Sequence, residues 1–163
     1  MGANREEGSG LYFSWGNTEG HAEGSGYDFS QDVYNATPGA AITTDLSLSQ
    51  DAARANLGAP WRMPTIAEFR ELYDYCTNVW TRINGVAGRL FTSKVNGNTL
   101  FFPEAGRYDG TSLNGSGSIG YYWSSTYDSA TNARILYFDS SSVSPNSNSG
   151  RRYGFPMRAV LKL

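Results

Sequence analysis

Apolar residues in this chain come in short bursts separated by long polar, glycine-rich stretches, and only one burst has helical spacing. Phe69, Leu72, Tyr73 and Cys76 fall at i, i+3, i+4 and i+7, which places them on one face of a helix of roughly three turns. Pro64 precedes it, and Thr65-Ile-Ala-Glu68 has the spacing of a capping box, so its start is marked as well. A second capping-box spacing, Ser47-Leu-Ser-Gln50, precedes a short Ala-rich helix predicted over Asp51 to Leu57, closed by Gly58 with Pro60 beyond. The other bursts read as strands: Leu11 to Trp15, Gly88 to Ser93, Thr99 to Pro103, Tyr121 to Trp123, Ala133 to Phe138 and Met157 to Leu163. Asn96-Gly97 sits between the second and third of these and predicts a hairpin, because both residue types accept positive φ. Gly16 to Gly39 is a long polar excursion with no period.

Composition adds that the core must lean on aromatics. The 163 residues hold 19 Gly, 6 Pro, 4 Trp, 11 Tyr and 8 Phe, a turn-rich mix that favours strands and loops over a helical bundle. The length suits one core, and no charge run or low-complexity linker divides it. The expected organisation is a disordered or extraneous N-terminal segment at residues 1–10 and a single domain over 11–163. A formal net charge of -2 provides no basic face, so nucleic acid is not an expected partner, and neither is an anionic membrane. No apolar run approaches bilayer length and no secretion signal is visible, so direct membrane insertion is not expected. One cysteine cannot form an internal disulfide.

Candidate chemistry is sparse. Gly115-Ser-Gly-Ser-Ile-Gly120 matches a dinucleotide fingerprint by letter, but Tyr-Tyr-Trp follows it. A pyrophosphate site needs a helix there, so a turn is expected. His21 is the sole histidine, which removes any multi-histidine metal site. Cys76 lies on the apolar stripe and is expected to pack rather than react. Glu68 and Glu71 read as a cap and a solvated face. Asn35-Ala-Thr37 and Asn114-Gly-Ser116 are glycan-acceptor patterns. No catalytic residue, metal or cofactor is expected.

The segment from Tyr121 to Pro156 has a different vocabulary. Tyr, Ser, Asn, Gly and Arg dominate it, and from Ser124 to Pro156 Lys, Glu, Gln, Met and Trp are missing. Tyr supplies rigid contact area and Ser, Asn and Gly supply adaptable hydrogen bonding, as in antibody loops. Trp123, Phe138 and Phe155 are expected in the core. Strict alternation then turns Leu136 inward and Ile135 and Tyr137 outward. Arg134 has inward parity, so its exposure requires the strand to end there. Tyr127, Arg134, Tyr137, Arg152 and Tyr153 are the best contact candidates, since Tyr and Arg are over-represented among binding hot spots.

Four runs in order, Trp61-Arg-Met-Pro-Thr-Ile-Ala-Glu-Phe-Arg-Glu-Leu, Leu100-Phe-Phe-Pro-Glu-Ala-Gly106, Gly120-Tyr-Tyr-Trp-Ser-Ser125 and Gly154-Phe-Pro-Met-Arg-Ala-Val160, resemble the C-type-lectin-fold variable proteins of diversity-generating retroelements. The likeness is to versions from gut Bacteroides and their phages, and it covers Leu11 to Val160. It implies an α+β C-type lectin fold: two helices, antiparallel strands and long irregular loops, with the last strands displaying side chains on one face. In that family, adenines of selected template codons are mutated, leaving codons that end in a pyrimidine. Such codons cannot encode the five missing residue types. The family's fixed framework matches Ala133, Leu136, Phe138, Arg151, Gly154, Phe155 and Arg158. By the same match, the diversified, ligand-binding positions are Tyr127, Asp128, Arg134, Ile135, Tyr137, Asp139, Ser142, Ser144, Ser147, Asn148, Ser149, Gly150, Arg152, Tyr153 and Pro156.

The function so implied is a non-catalytic ligand- or receptor-binding module with its diversified surface in 121–156. It would be extracellular, on a bacterial cell surface or a phage particle, and would bind a protein or surface ligand of a target cell. Two alternatives share the framework. One is an undiversified surface adhesion domain. The other is a formylglycine-generating-type oxidase, which needs a cysteine-based copper site where this chain offers Cys76 alone. A calcium-dependent lectin would need convergent carboxylate and amide ligands, and their motifs are missing after Gly120.

Overall fold

The computed structural model describes residues 1–32 and 42–161. The helix with the clearest signal forms as Ile66–Tyr75 (α2), after a shorter helix at Ala52–Leu57 (α1). Thr65 and Glu68 make the reciprocal capping box at the α2 start, and the Thr126 hydroxyl accepts the Ile66 N–H at 3.0 Å. Cys76 does not extend this helix. It takes extended geometry and opens a strand, so the stripe ends one residue earlier than its spacing suggests. The α1 cap is Asp51, whose carboxylate accepts from Arg54 N and also from Met63 N. Ser47 and Gln50 instead close a turn upstream.

The strands are Trp61–Arg62 (β1), Cys76–Ile83 (β2), Val86–Ser93 (β3), Thr99–Pro103 (β4), Arg107–Asp109 (β5), Ser112–Asn114 (β6), Ile119–Tyr127 (β7), Asn132–Asp139 (β8), Val143–Gly150 (β9) and Val160–Leu161 (β10). Among the described residues they form four antiparallel sheets: β1-β10, β2-β3-β4, β5-β6 and β7-β8-β9. Among the described residues, strands and isolated bridges hold 40% and helices 12%. The expected α+β C-type lectin fold is therefore corrected: this is a mostly β chain of several small sheets, with two short helices packed on them.

The tight hairpin is also relocated. Asn84 and Gly85 carry positive φ of 50° and 85° and join β2 to β3, the signature of a type I′ turn. The predicted hairpin at Asn96-Gly97 does form between β3 and β4. Only Gly97 has positive φ there, and its N–H reaches back to Ser93 O, so the loop is wider than two residues. Leu11–Trp15 makes isolated bridges, Tyr12 to His21 and Phe13 to Phe155, rather than a strand. Gly115 and Gly117 turn the chain into β7, not into a helix.

Residues 1–10 are not a detached tail. The Leu11 N–H donates to Met1 O, Arg158 donates to Glu6 O, and Asn84 donates to the buried Glu7 carboxylate. The glycan pattern Asn35-Ala-Thr37 lies outside the described residues. Asn114 of the other pattern is exposed in β6.

The core is aromatic and the polar atoms of its largest rings are paired, which keeps their burial favourable, while the buried His21 Nε2, stacked on Tyr27, has no hydrogen-bond partner among the described residues. Trp15 Nε1 donates to Ser124 O, Trp123 Nε1 to Phe13 O, Tyr12 OH to Ala105 O and Tyr122 OH to Pro103 O, all within 2.8 Å. Phe13, Trp15, Trp123, Ala133, Ile135 and Phe155 form one cluster. Phe69, Phe91, Phe102, Tyr122, Leu136 and Phe138 form another. Trp61 is half-buried in β1.

Candidate functional site

Strands β7, β8 and β9 carry most of the segment with the Tyr/Ser/Asn vocabulary. Their registers align Tyr127, Ala133 and Ser149, then Trp123, Ile135 and Ser147, then Tyr121, Tyr137 and Ser144. All of these side chains belong to one sheet face. The opposite face carries Tyr122, Leu136 and Phe138 against α2, β3 and β4. The sheet is thus covered on both faces. Ile135 and Leu136 are both buried, at 1% and 0% exposure.

That arrangement corrects two nominated contacts. Ile135 points into the Trp123–Phe155 cluster, not outward, because the alternation argument assumed a solvated face that does not exist at that point. Pro156 is buried too, and its carbonyl accepts the Trp123 N–H. The expectation of a single display face is also too simple. Arg134 and Asn148 are register partners of opposite parity to Tyr137, so they emerge on the other side of the strand pair. Arg134 is half-buried within its strand and paired with Asp128 at 2.8 Å.

The remaining nominees are accessible. Ser142, Asn148 and Arg152 are exposed, while Tyr127, Tyr137, Asp139, Ser144, Ser147, Ser149, Gly150 and Tyr153 are partly so. Asp139 shapes the β8–β9 turn: it accepts from the backbone N–H and hydroxyl of both Ser141 and Ser142 and from Tyr137 OH. These bonds, led by the Ser141 hydroxyl, hold its carboxyl well below the usual carboxylate range. Tyr127 is capped by the Arg151 guanidinium, 5.0 Å from its ring.

The framework side chains behave differently. Ala133, Leu136, Phe138, Arg151, Gly154 and Phe155 are buried, and Arg158 is half-buried. Arg151 donates to the carbonyls of Asn132, Ile42 and Ser129 and covers Trp15 at 4.6 Å. A Cβ at Gly154 would stand 2.6 Å from the Phe29 ring, so this backbone can approach the ring only as glycine.

The open end of the face is a Tyr/Arg cluster. Tyr121 lies edge-on to Tyr137 at 5.4 Å and stacks on Phe155 at 5.0 Å, and Tyr153 also stacks on Phe155, at 6.1 Å. Arg107 covers Tyr153 at 4.3 Å and Tyr121 at 5.5 Å. Arg152 covers Tyr153 at 4.8 Å, donates to its hydroxyl, and stands 4.0 Å from Asp109. Sequence reasoning missed Arg107, Asp109 and Tyr121. The first two precede the biased segment, and β5 reaches the cluster only through the Tyr108–Gly154 bridge.

An open groove of about 560 Å³ lies elsewhere, lined by Glu7, Glu23, Arg82 and Glu104 among others. Burial pushes the Glu104 carboxyl upward, while Trp80 Nε1 donates to it at 3.0 Å. Among the described residues no group of three or more His, Cys, Asp or Glu side chains could hold a metal ion, and no helix is long and apolar enough to cross a membrane.

Neither a curated protein nor a solved structure matches the chain. A family model described as a domain of unknown function, DUF8237, matches residues 79–160, half of the chain, from within β2 to the start of β10. That span takes in β7, β8, β9 and the Tyr/Arg cluster, and by it the chain belongs to the DUF8237 family.

Proposed function

We propose that this chain is a non-catalytic ligand-binding module, and that the accessible positions of 121–156 are diversified by retroelement mutagenesis. The observation that carries the reading is a division within one short segment. Residues matching the fixed framework are buried and make the backbone contacts, whereas most of the positions between them reach solvent. Those positions use the Tyr, Ser, Asn and Arg vocabulary and none of the five residue types that pyrimidine-ending codons exclude. A rigid backbone under changeable side chains suits recognition, because a preorganised surface loses less entropy on binding. The ligand would be a protein or surface group on a target cell, met outside the producing cell or particle.

The test is a library on the intact chain, with Ser144, Ser147, Asn148, Ser149 and Arg152 randomised through pyrimidine-ending codons. Most members are expected to melt close to the parent, and selection against a folded protein target should enrich Tyr and Arg. A library that mostly fails to fold contradicts the reading.

A further inference from the structure

We infer that Arg107 is an anchor for a ligand carboxylate, set beside the changeable surface but outside the segment that changes. The inference rests on the binding reading above and assigns it a chemistry. Arg107 opens β5, which is tied to the body twice: through β6, by the register Arg107 to Asn114, and through the Tyr108–Gly154 bridge. Its guanidinium lies over the rings of Tyr153 and Tyr121, which stack in turn on the buried Phe155. The side chain is half-buried, and among the described residues its guanidinium has no hydrogen bond and no carboxylate within 4.0 Å. The two rings back the group on one side, and its N–H groups are unpaired among the described residues. That is the geometry a bidentate carboxylate takes up, with little ordering left to lose.

Its neighbours favour the same ligand. Among the described residues Asp109 is the one carboxylate within 4.0 Å of Arg152, and no carboxylate stands that close to Arg107. The surrounding tyrosine rings suit a flat or apolar group carrying the carboxylate, as on an acidic protein segment. Arg107 precedes Tyr121, so sibling proteins differing across 121–156 would keep the cation and its Tyr121 ring, while a change at Tyr153, its nearer ring, would tune the strength of this preference.

The full chain, labelled with ¹⁵N at arginine, is titrated with benzoate, benzamide and inorganic phosphate while the side-chain Nε–H signals are followed. Arg107→Lys and Arg107→Gln assign the signal, and their melting is compared with the parent. Benzoate is expected to shift the Arg107 signal saturably and benzamide to leave it in place. Arg107→Gln should weaken benzoate about tenfold, the loss of one charge-assisted pair. An unsaturable shift shared by all exposed arginines, equal response to benzamide, or tighter binding of phosphate than of benzoate would overturn the assignment. The Arg107 signal is also assigned through the backbone of the wild-type chain, so the wild-type titration decides even if a variant does not fold. Benzoate binding by a chain whose surface proves undiversified would sink the diversification reading and keep the anchor, and the converse result would do the opposite.

Discussion

Ile135 and Arg152 belong to the same stretch of chain and have opposite environments. Ile135 is 1% exposed among Trp123, Phe155 and Met157. The Arg152 side chain is 57% exposed, with a single distant carboxylate. Ile135→Ala should therefore cost about 2–5 kcal/mol, the usual range for emptying a buried branched site, whereas Arg152→Ala should stay within about 0.5 kcal/mol. Denaturant melts of the two variants check this, and comparable losses would mean that the framework and the display positions are not physically separate. Tyr153→Ala is an intermediate case, since its ring supports both Arg107 and Arg152. The error over Ile135 has a simple origin. Strict alternation distinguishes inside from outside only where one sheet face meets water, and nothing local in Arg134-Ile-Leu-Tyr shows that α2 and the Phe155 segment cover opposite faces.

Helix α2 illustrates what is legible at the scale of an element and how it is held. Its capping box was readable because every partner lies within four residues. The outward link was not: Arg62 forks onto Glu68, Nη1 to Oε2 at 2.7 Å and Nη2 to Oε1 at 2.5 Å, joining β1 to the helix start. This pairing, ahead of the bond from Thr65 N–H, holds the Glu68 carboxyl below its ordinary 4.5. A depressed carboxyl stabilises the fold fully above that value and progressively less as pH falls below it. Glu68→Gln should thus lower the Tm near neutrality by an amount equivalent to about 1 kcal/mol, given the partial exposure of both partners. In acid well below 4.5 the variant and the parent should converge, and a difference independent of pH would refute the linkage. Strands β2 and β9 were illegible for the opposite reason. Cys76-Thr-Asn-Val-Trp-Thr-Arg-Ile buries no residue fully, and Val143-Ser-Pro-Asn-Ser-Asn-Ser-Gly has almost no strand propensity. Both are held by ladders to hairpin neighbours, β3 and β8, which depend on the Asn84-Gly85 turn for β2 and on the turn that Asp139 closes for β9.

For the whole molecule, aromatic content correctly implied an anchored, strand-rich body, but the residues alone did not give the assembly of four small sheets. The N-terminal residues show the same limit. Met1-Gly-Ala-Asn-Arg-Glu-Glu has no apolar pattern, yet Glu6 and Glu7 find Arg158 and Asn84 across the chain. The candidate site divides likewise. The strand segment proposed to vary was visible as a biased vocabulary, while Arg107 and Tyr121 joined the cluster through tertiary stacking. We have proposed that one segment combines a fixed buried framework with positions free to change. The most direct measurement is to sequence the flanking locus in the source DNA. The account predicts, beside a reverse-transcriptase gene, a near-repeat of the codons for Tyr121 to Val160 that differs only at adenines, with the differences falling on accessible positions such as Tyr137, Ser147, Arg152 and Tyr153 and sparing Leu136, Phe138, Arg151 and Phe155. A locus without such a repeat, or one whose differences fall on the buried framework, would contradict it.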